Sequence, residues 1–323
     1  MKKAVNRREF LATSAAAGLG LVAARRLGAG EFKTTLKKAL ICGKPAEKNL
    51  AQLKAAGFDG VETNAADVSP ADAEACRKVA EKVGMSIQSV LRGWMQFNST
   101  DAAKVEATIA KTETALRAAQ GYGADAVLLV PCRIGGATMP EPWEFDIEFD
   151  PNNGHLKRVV KGDNTPYADY IKAHDHATDT SVEAVKKLIP VAEKTGVVIA
   201  LENVWNNLWV RPAVFAHFVK RFGSKWVQAY FDIGNHVKYA PPEEFIRALG
   251  PTIAKCHVKD FKLNADGHGG KFCDIRDGSV NWPVVRKALD AIGYNGWMTI
   301  EGSGGLSLEE KSKRLDLIHA GKD

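Results

Sequence analysis

Cysteine is scarce and scattered in this chain: Cys42, Cys76, Cys132, Cys256 and Cys273 are five in number and form no CxxC. An odd count at wide spacing excludes a disulfide framework and a zinc-ribbon pattern, and leaves most of these residues as small apolar fillers of a core. The segment CGKPAE, after the first strand-like run, holds neither GxGxxG nor GxxxxGK[ST], so the phosphate loop expected after the first strand of a doubly wound sheet is missing. Charge of one sign is lacking too. The formal net charge is +6, but residues 1–30 hold Lys2, Lys3, Arg7, Arg8, Arg25 and Arg26 against Glu9, a balance of +5 that leaves +1 for the rest. Charge therefore offers no argument for a nucleic-acid partner.

The N-terminal stretch NRREFLATSAAAGLGLVAA sets an Arg pair before Phe10-Leu11 and a weakly apolar Ala/Gly/Leu run with small residues at its end. It resembles a twin-arginine export signal, with cleavage between about Ala23 and Gly30. The run is far shorter than the ~20 residues that span a bilayer, so no stable membrane anchor is expected after cleavage. A periplasmic or secreted protein follows, with residues 1–30 as the signal and 31–323 as one catalytic domain.

From Lys37 onward, strand-like runs alternate with helix-like segments eight times. The strands are LKKALICG, FDGVET, GMSIQSVLRG, ADAVLLVPC, VVIALEN, VQAYFDIG, TIAKCHVKDF and WMTIEGSG. Ser69-Pro70 reads as an N-cap with Pro at the first helical position. ADAVLLVPC is apolar without alternation, as a strand buried on both faces should be. Strict alternation predicts a single (β/α)8 TIM barrel, with a doubly wound open sheet as the alternative. Two stretches read as irregular, residues 133–177 and 262–279. The longer is expected to lie over the barrel mouth, with the next helix running from Asp179 to Thr195.

Glu202, Asp232, His257 and Glu301 end the fifth to eighth of these strands, so in a closed parallel barrel they converge on one side of the C-terminal rim. Three carboxylates and an imidazole suit one divalent metal ion such as Mn, Mg, Co or Zn. Other rim residues have plainer alternatives as capping, packing or solvated groups. Glu62, ending the second strand, is a candidate grip for sugar hydroxyls. Trp94, Trp205 and Trp209 are candidate pocket walls, and Arg92 and Arg133 candidate holders of an anionic substrate. His155, His174 and His176 read as solvated residues of the long insertion, with a second metal site as the minor alternative.

The order of GFDGVE, ALEN, YFDIGN, CHVKD and TIEG resembles the sugar phosphate isomerase/epimerase superfamily, with a xylose isomerase-like TIM barrel similar to hydroxypyruvate isomerase and the ketose 3-epimerases. The resemblance covers roughly residues 36–320. It implies that Glu202 and Glu301 are both metal ligands and the acid/base pair, with Asp232 and His257 completing the site. Proton removal next to a carbonyl then gives a metal-stabilised enediolate. The chain departs from the family pattern in two places. Asp-x-x-His after the sixth strand becomes Asp232-Ile-Gly-Asn-His236, which leaves His236 either on the substrate or merely on the rim. The Arg that follows the metal-binding His is absent, with Arg276 as its best substitute. Lys259 is a candidate for a substrate hydroxyl or carbonyl, and Asp260 for orienting His257.

The expected activity is a metal-dependent isomerase or epimerase on a small-molecule carbohydrate. The alternatives are a lyase or hydratase on 3-keto sugars, a metal-dependent phosphodiesterase like the abasic-site endonucleases, and a non-catalytic carbohydrate-binding protein. No nucleic acid is expected as a partner; homo-oligomerisation stays open.

Overall fold

The computed structural model describes residues 32–323, so the export-type segment lies outside the described residues. In chain order these residues form β1 (Lys37–Cys42), α1 (Glu47–Ala55), β2 (Gly60–Thr63), α2 (Pro70–Lys82), β3 (Ser86–Trp94), α3 (Ala102–Tyr122) and β4 (Ala126–Val130). Then follow the short strands β5 (Glu148–Phe149) and β6 (Leu156–Arg158), α4 (Ala168–Thr195), β7 (Val198–Glu202), α5 (Pro212–Lys220), β8 (Val227–Asp232) and α6 (Pro242–Leu249). The chain closes with β9 (Ile253–Val258), β10 (Asp260–Leu263), β11 (Gly270–Cys273), α7 (Trp282–Ala291), β12 (Trp297–Ile300) and α8 (Leu308–His319). β1, β12, β9, β8, β7, β4, β3 and β2 close in that order into a parallel barrel, the TIM architecture that the eightfold alternation predicts.

Local chemistry explains several boundaries. The Ser69 hydroxyl accepts from the Asp72 N–H at 3.1 Å and Pro70 opens α2, as expected of that pair. Asp101, Asn281 and Ser307 cap α3, α7 and α8 in the same way. Among the described residues, no helix is long and apolar enough to cross a membrane.

The core has two layers. Ala126, Leu128, Val130, Ala200 and Tyr230 fill the barrel interior, while a larger set that includes Val127, Leu129, Ile199, Leu201, Phe231, Cys256, Val258, Met298 and Ile300 packs between strands and helices. Cys76, Cys132 and Cys256 are buried among these apolar groups.

The longer irregular stretch is shorter than its sequence predicts. α4 begins at Ala168, eleven residues before Asp179, because Tyr170, His174, Ala177, Thr178 and Ser181 form a buried stripe at helical spacing. The polar types of His174, Thr178 and Ser181 hide that stripe from a hydrophobic pattern. What remains carries the β5–β6 hairpin, and Trp143 from it stacks on His268 of the β10–β11 turn with ring centroids 4.1 Å apart.

Candidate metal centre

Strand alternation decides which side chains enter the barrel. Ile199 and Leu201 pack outward while Ala200 faces the interior, so Glu202 follows Ala200 inward. The same parity turns Asp232 inward after Tyr230, His257 inward between the outward Cys256 and Val258, and Glu301 inward after the outward Ile300. Register sets Asp232 directly beside His257. One ligand atom from each of Glu202, Asp232, His257 and Glu301 lies within 4.8 Å of the other three.

His257 Nδ1 stands 3.0 Å from Glu301 Oε2, 3.5 Å from Glu202 Oε1 and 3.9 Å from Asp232 Oδ2. Glu202 Oε1, Asp232 Oδ2 and His257 Nδ1 are buried, yet none has a hydrogen-bond partner. Asp232 is aimed by its other oxygen: Oδ1 accepts from the Gly234 and Asn235 N–H groups, both at 2.8 Å. Gly234 permits that turn, since a Cβ there would sit 2.7 Å from the Lys259 backbone carbonyl. Buried carboxylates crowded this closely repel one another, at a cost on the order of several kcal/mol unless cations offset it. Three unsatisfied atoms turned toward one another, with a fourth carboxylate beside them, fit a divalent cation with oxygen and nitrogen ligands.

Burial pushes the Glu202 carboxyl up to about 7, against the pull of His257. Burial would also raise Glu301, but His257 and Lys259 outweigh it and hold that carboxyl well below the usual range. Burial would lower His257, yet Tyr230, Glu62, Glu202 and Glu301 around it hold the imidazole protonated well above its ordinary range. A cation binding the apoprotein therefore displaces the His257 proton, and below about pH 7 the Glu202 proton as well. Lower pH thus weakens Mn²⁺ binding, more steeply below neutrality than above it. Calorimetry in buffers of different ionisation enthalpy should count more released protons at pH 6 than at pH 8. Affinity independent of pH over that span would contradict this charge arrangement.

Lys259 borders the cluster. Its ammonium lies 3.0 Å from Glu301 Oε2, 3.3 Å from Asp232 Oδ2 and 3.2 Å from Asn235 Oδ1. Burial alone would lower its pKa, but Asp232, Glu301 and Glu202 raise it, so it stays charged and offsets part of the carboxylate excess.

Several other candidates stand elsewhere than the sequence predicts. Glu62 is no rim grip for hydroxyls: it is fully buried, its Oε2 lies 2.6 Å from His257 Nε2, and its Oε1 accepts from the Ser89 hydroxyl at 2.7 Å. His236 does not face the substrate side. The extra residue turns it into a cage of Phe215, Phe231, Tyr239 and Phe245, and burial drives its pKa down to about 3. The Arg276 guanidinium donates to the Lys322 carbonyl at 3.3 Å. Asp260 does not orient His257 but gathers donors from the loop behind it. Trp209 is core, stacked on Phe218 at 3.7 Å. Trp94 ends β3 and is 48% exposed, and Arg92 pairs with Asp67. His155, His174 and His176 bond separately to Asp179, the Trp209 N–H and the Asn98 carbonyl.

Two residues beside the site escape sequence reasoning. Asn235 stands where the Asp-x-x-His spacing places its last residue, is buried, and has an unpartnered Nδ2. Counting three positions from Asp232 finds it. Phe272 on β11 is exposed, sits 5.0 Å from the Trp205 ring, and has the Lys259 ammonium 5.3 Å from its centroid. Nothing in the polar loop around it marks it.

Comparison with known proteins agrees with the barrel. A family profile described as xylose isomerase-like TIM barrel matches residues 50–316. An uncharacterized protein of Methanocaldococcus jannaschii is 30% identical over 129 residues, which are 38% of this chain and 43% of that one. The match thus spans less than half of that relative. The crystal structure of 3-keto-D-glucoside 4-epimerase from E. coli is 14% identical, with 89% of this chain and 100% of that one covered at a TM-score of 0.63. A xylose isomerase-like TIM barrel protein from Mycobacterium smegmatis in complex with magnesium is 21% identical, with 90% and 98% covered at 0.58. At those identities the likeness is one of fold.

Proposed function

Since the chain belongs to the xylose isomerase-like TIM barrel family, we propose that it is a divalent-metal-dependent enzyme that isomerises or epimerises a sugar or small hydroxy-carbonyl compound by proton transfer. The observation that carries this reading is the convergence of Glu202, Asp232, His257 and Glu301, with three buried and unsatisfied ligand atoms, at one end of the barrel. These four residues would hold the ion, and the magnesium complex of the M. smegmatis protein shows that a barrel of this kind takes one. The ion would supply Lewis-acid stabilisation of the negative charge that develops on the substrate oxygens.

The chain's own groups divide the proton work. Glu202, buried at the end of β7 beside the other three residues, is the group suited to take a proton from the carbon next to the carbonyl. Glu301, beside Lys259, serves the other face, giving a proton to the carbon in one direction and taking it in the reverse. Returning the proton to the same or the neighbouring carbon, or to the opposite face, separates epimerisation from isomerisation.

The test is incubation of the Mn²⁺-loaded protein with sugars and keto-sugars in deuterium oxide. Likeness to a 3-keto-D-glucoside 4-epimerase puts oxidised glycosides first in that panel. Carbon-bound deuterium without loss of a substituent supports the proposal. Loss of a β-substituent would make the enzyme a lyase on the same site, and no exchange with any substrate would count against both. The Arg7-Arg8 segment supports export to the periplasm or beyond. Fractionation should then find the protein outside the cytoplasm, and replacing both arginines of that pair by lysine (Arg7→Lys with Arg8→Lys) should retain it inside.

A further inference from the structure

From the buried contact between Glu62 and His257 we infer that Glu62 is a positioning residue, which holds the His257 ring by Nε2 so that Nδ1 faces the three carboxylates. The inference rests on the metal-centre reading above. Glu62 and His257 are both fully buried, and Glu62 Oε2 lies 2.6 Å from Nε2. The other oxygen is committed as well. Gln88 Nε2 donates to Ser89 Oγ at 2.7 Å, so the Ser89 proton must go to Glu62 Oε1, also at 2.7 Å. Both Glu62 oxygens accept, and the proton between Glu62 and the ring belongs to Nε2.

With an ion on Nδ1, a ring without the Nε2 proton would set a nitrogen lone pair against the Glu62 carboxylate oxygen inside hydrogen-bond distance, with no solvent to relieve it. Nδ1 faces Glu301, Glu202 and Asp232 at 3.0, 3.5 and 3.9 Å, and is the one ring nitrogen left open to an ion. Strand geometry builds this arrangement. β2 and β3 place Glu62 beside Ser89 in register, while His257 reaches Glu62 across the barrel interior from β9. Gln88 Nε2 also donates to Thr299 Oγ1 at 3.0 Å, and Thr299 is the register neighbour of His257 on β12. The chain of bonds therefore closes around the imidazole from two sides.

The test measures Mn²⁺ affinity by chelator competition in wild type, Glu62→Gln and Glu62→Ala, each checked for native circular dichroism. Glu62→Gln keeps an acceptor oxygen and is expected to weaken binding about tenfold; Glu62→Ala removes the acceptor and should weaken it about a hundredfold. In the Zn²⁺-loaded wild type a far-downfield Nε2 proton should be visible by NMR, shifted upfield in Glu62→Gln and lost in Glu62→Ala. If Glu62→Ala does not fold, Glu62→Gln and Ser89→Ala carry the test through the same affinity and proton shift. Unchanged Mn²⁺ affinity in the folded variants would overturn the inference, whatever happened to thermal stability, because a merely structural Glu62 alters melting and not ion binding. Wild type that binds no Mn²⁺ would overturn the metal centre itself. Tight wild-type binding with unaffected variants would overturn only the role of Glu62.

Discussion

Glu202→Gln is expected to lower turnover by roughly 10²–10⁴-fold, or about 3–5 kcal/mol of barrier. Glutamine keeps the size of the side chain and an oxygen for an ion, but it cannot take or hold the proton. Glu202 is buried at the end of β7, where proton transfer at one face of the substrate falls to it. Lys259 is fixed as a cation by Asp232 and Glu301 and cannot take that proton. The loss should fall on kcat with KM little changed, and deuterium exchange should vanish in parallel. Metal content must be measured alongside. A fully Mn²⁺-loaded Glu202→Gln protein within tenfold of wild-type kcat would remove Glu202 from the proton path.

Asp260→Ala carries the largest expected cost in stability, of order 3–5 kcal/mol, with a fall in Tm on the order of 10 °C. Asp260 is buried and gathers four donors: the Phe261 N–H at 2.9 Å, the Arg276 N–H at 2.9 Å, the Val280 N–H at 3.3 Å and Trp282 Nε1 at 3.1 Å. These donors come from three parts of the segment between β10 and α7. Gly278 approaches so closely that a Cβ there would stand 2.0 Å from Asp260 Oδ1. Removing the carboxylate strands the donors where water enters poorly, and Arg276, held at a positive φ of 74°, loses its anchor. Asp260→Asn should recover little, since its amide NH2 points at groups that also donate. Denaturant unfolding measures the effect, and a change below about 1 kcal/mol would show the segment is held by other contacts.

The barrel was legible because strand-like apolar runs alternate with helix-like segments eight times. The four cluster residues were legible because each closes such a run. What stayed hidden depended on the third dimension. Glu62 has the same strand-end context as Glu202, and only closure of the barrel brings it against the far side of His257. Asp260 follows His257 by three residues, yet strand parity and the onset of β10 turn it toward the loop that returns to α7. One extra residue in DIGNH rotates His236 into an aromatic cage, a consequence the spacing raised without deciding. The polar stripe of α4 looked like loop because Tyr170, His174 and Thr178 satisfy their hydrogen bonds internally, with the Asn207 carbonyl, the Trp209 N–H and the Trp209 indole.

The central claim, one divalent ion held by four side chains, is tested most directly by anomalous diffraction from crystals grown with Zn²⁺. The account predicts a single strong peak per chain at about 2.0–2.2 Å from His257 Nδ1 and from one oxygen each of Glu202, Asp232 and Glu301. A peak at other residues, or a Zn²⁺-saturated crystal with no peak among these four, would contradict it.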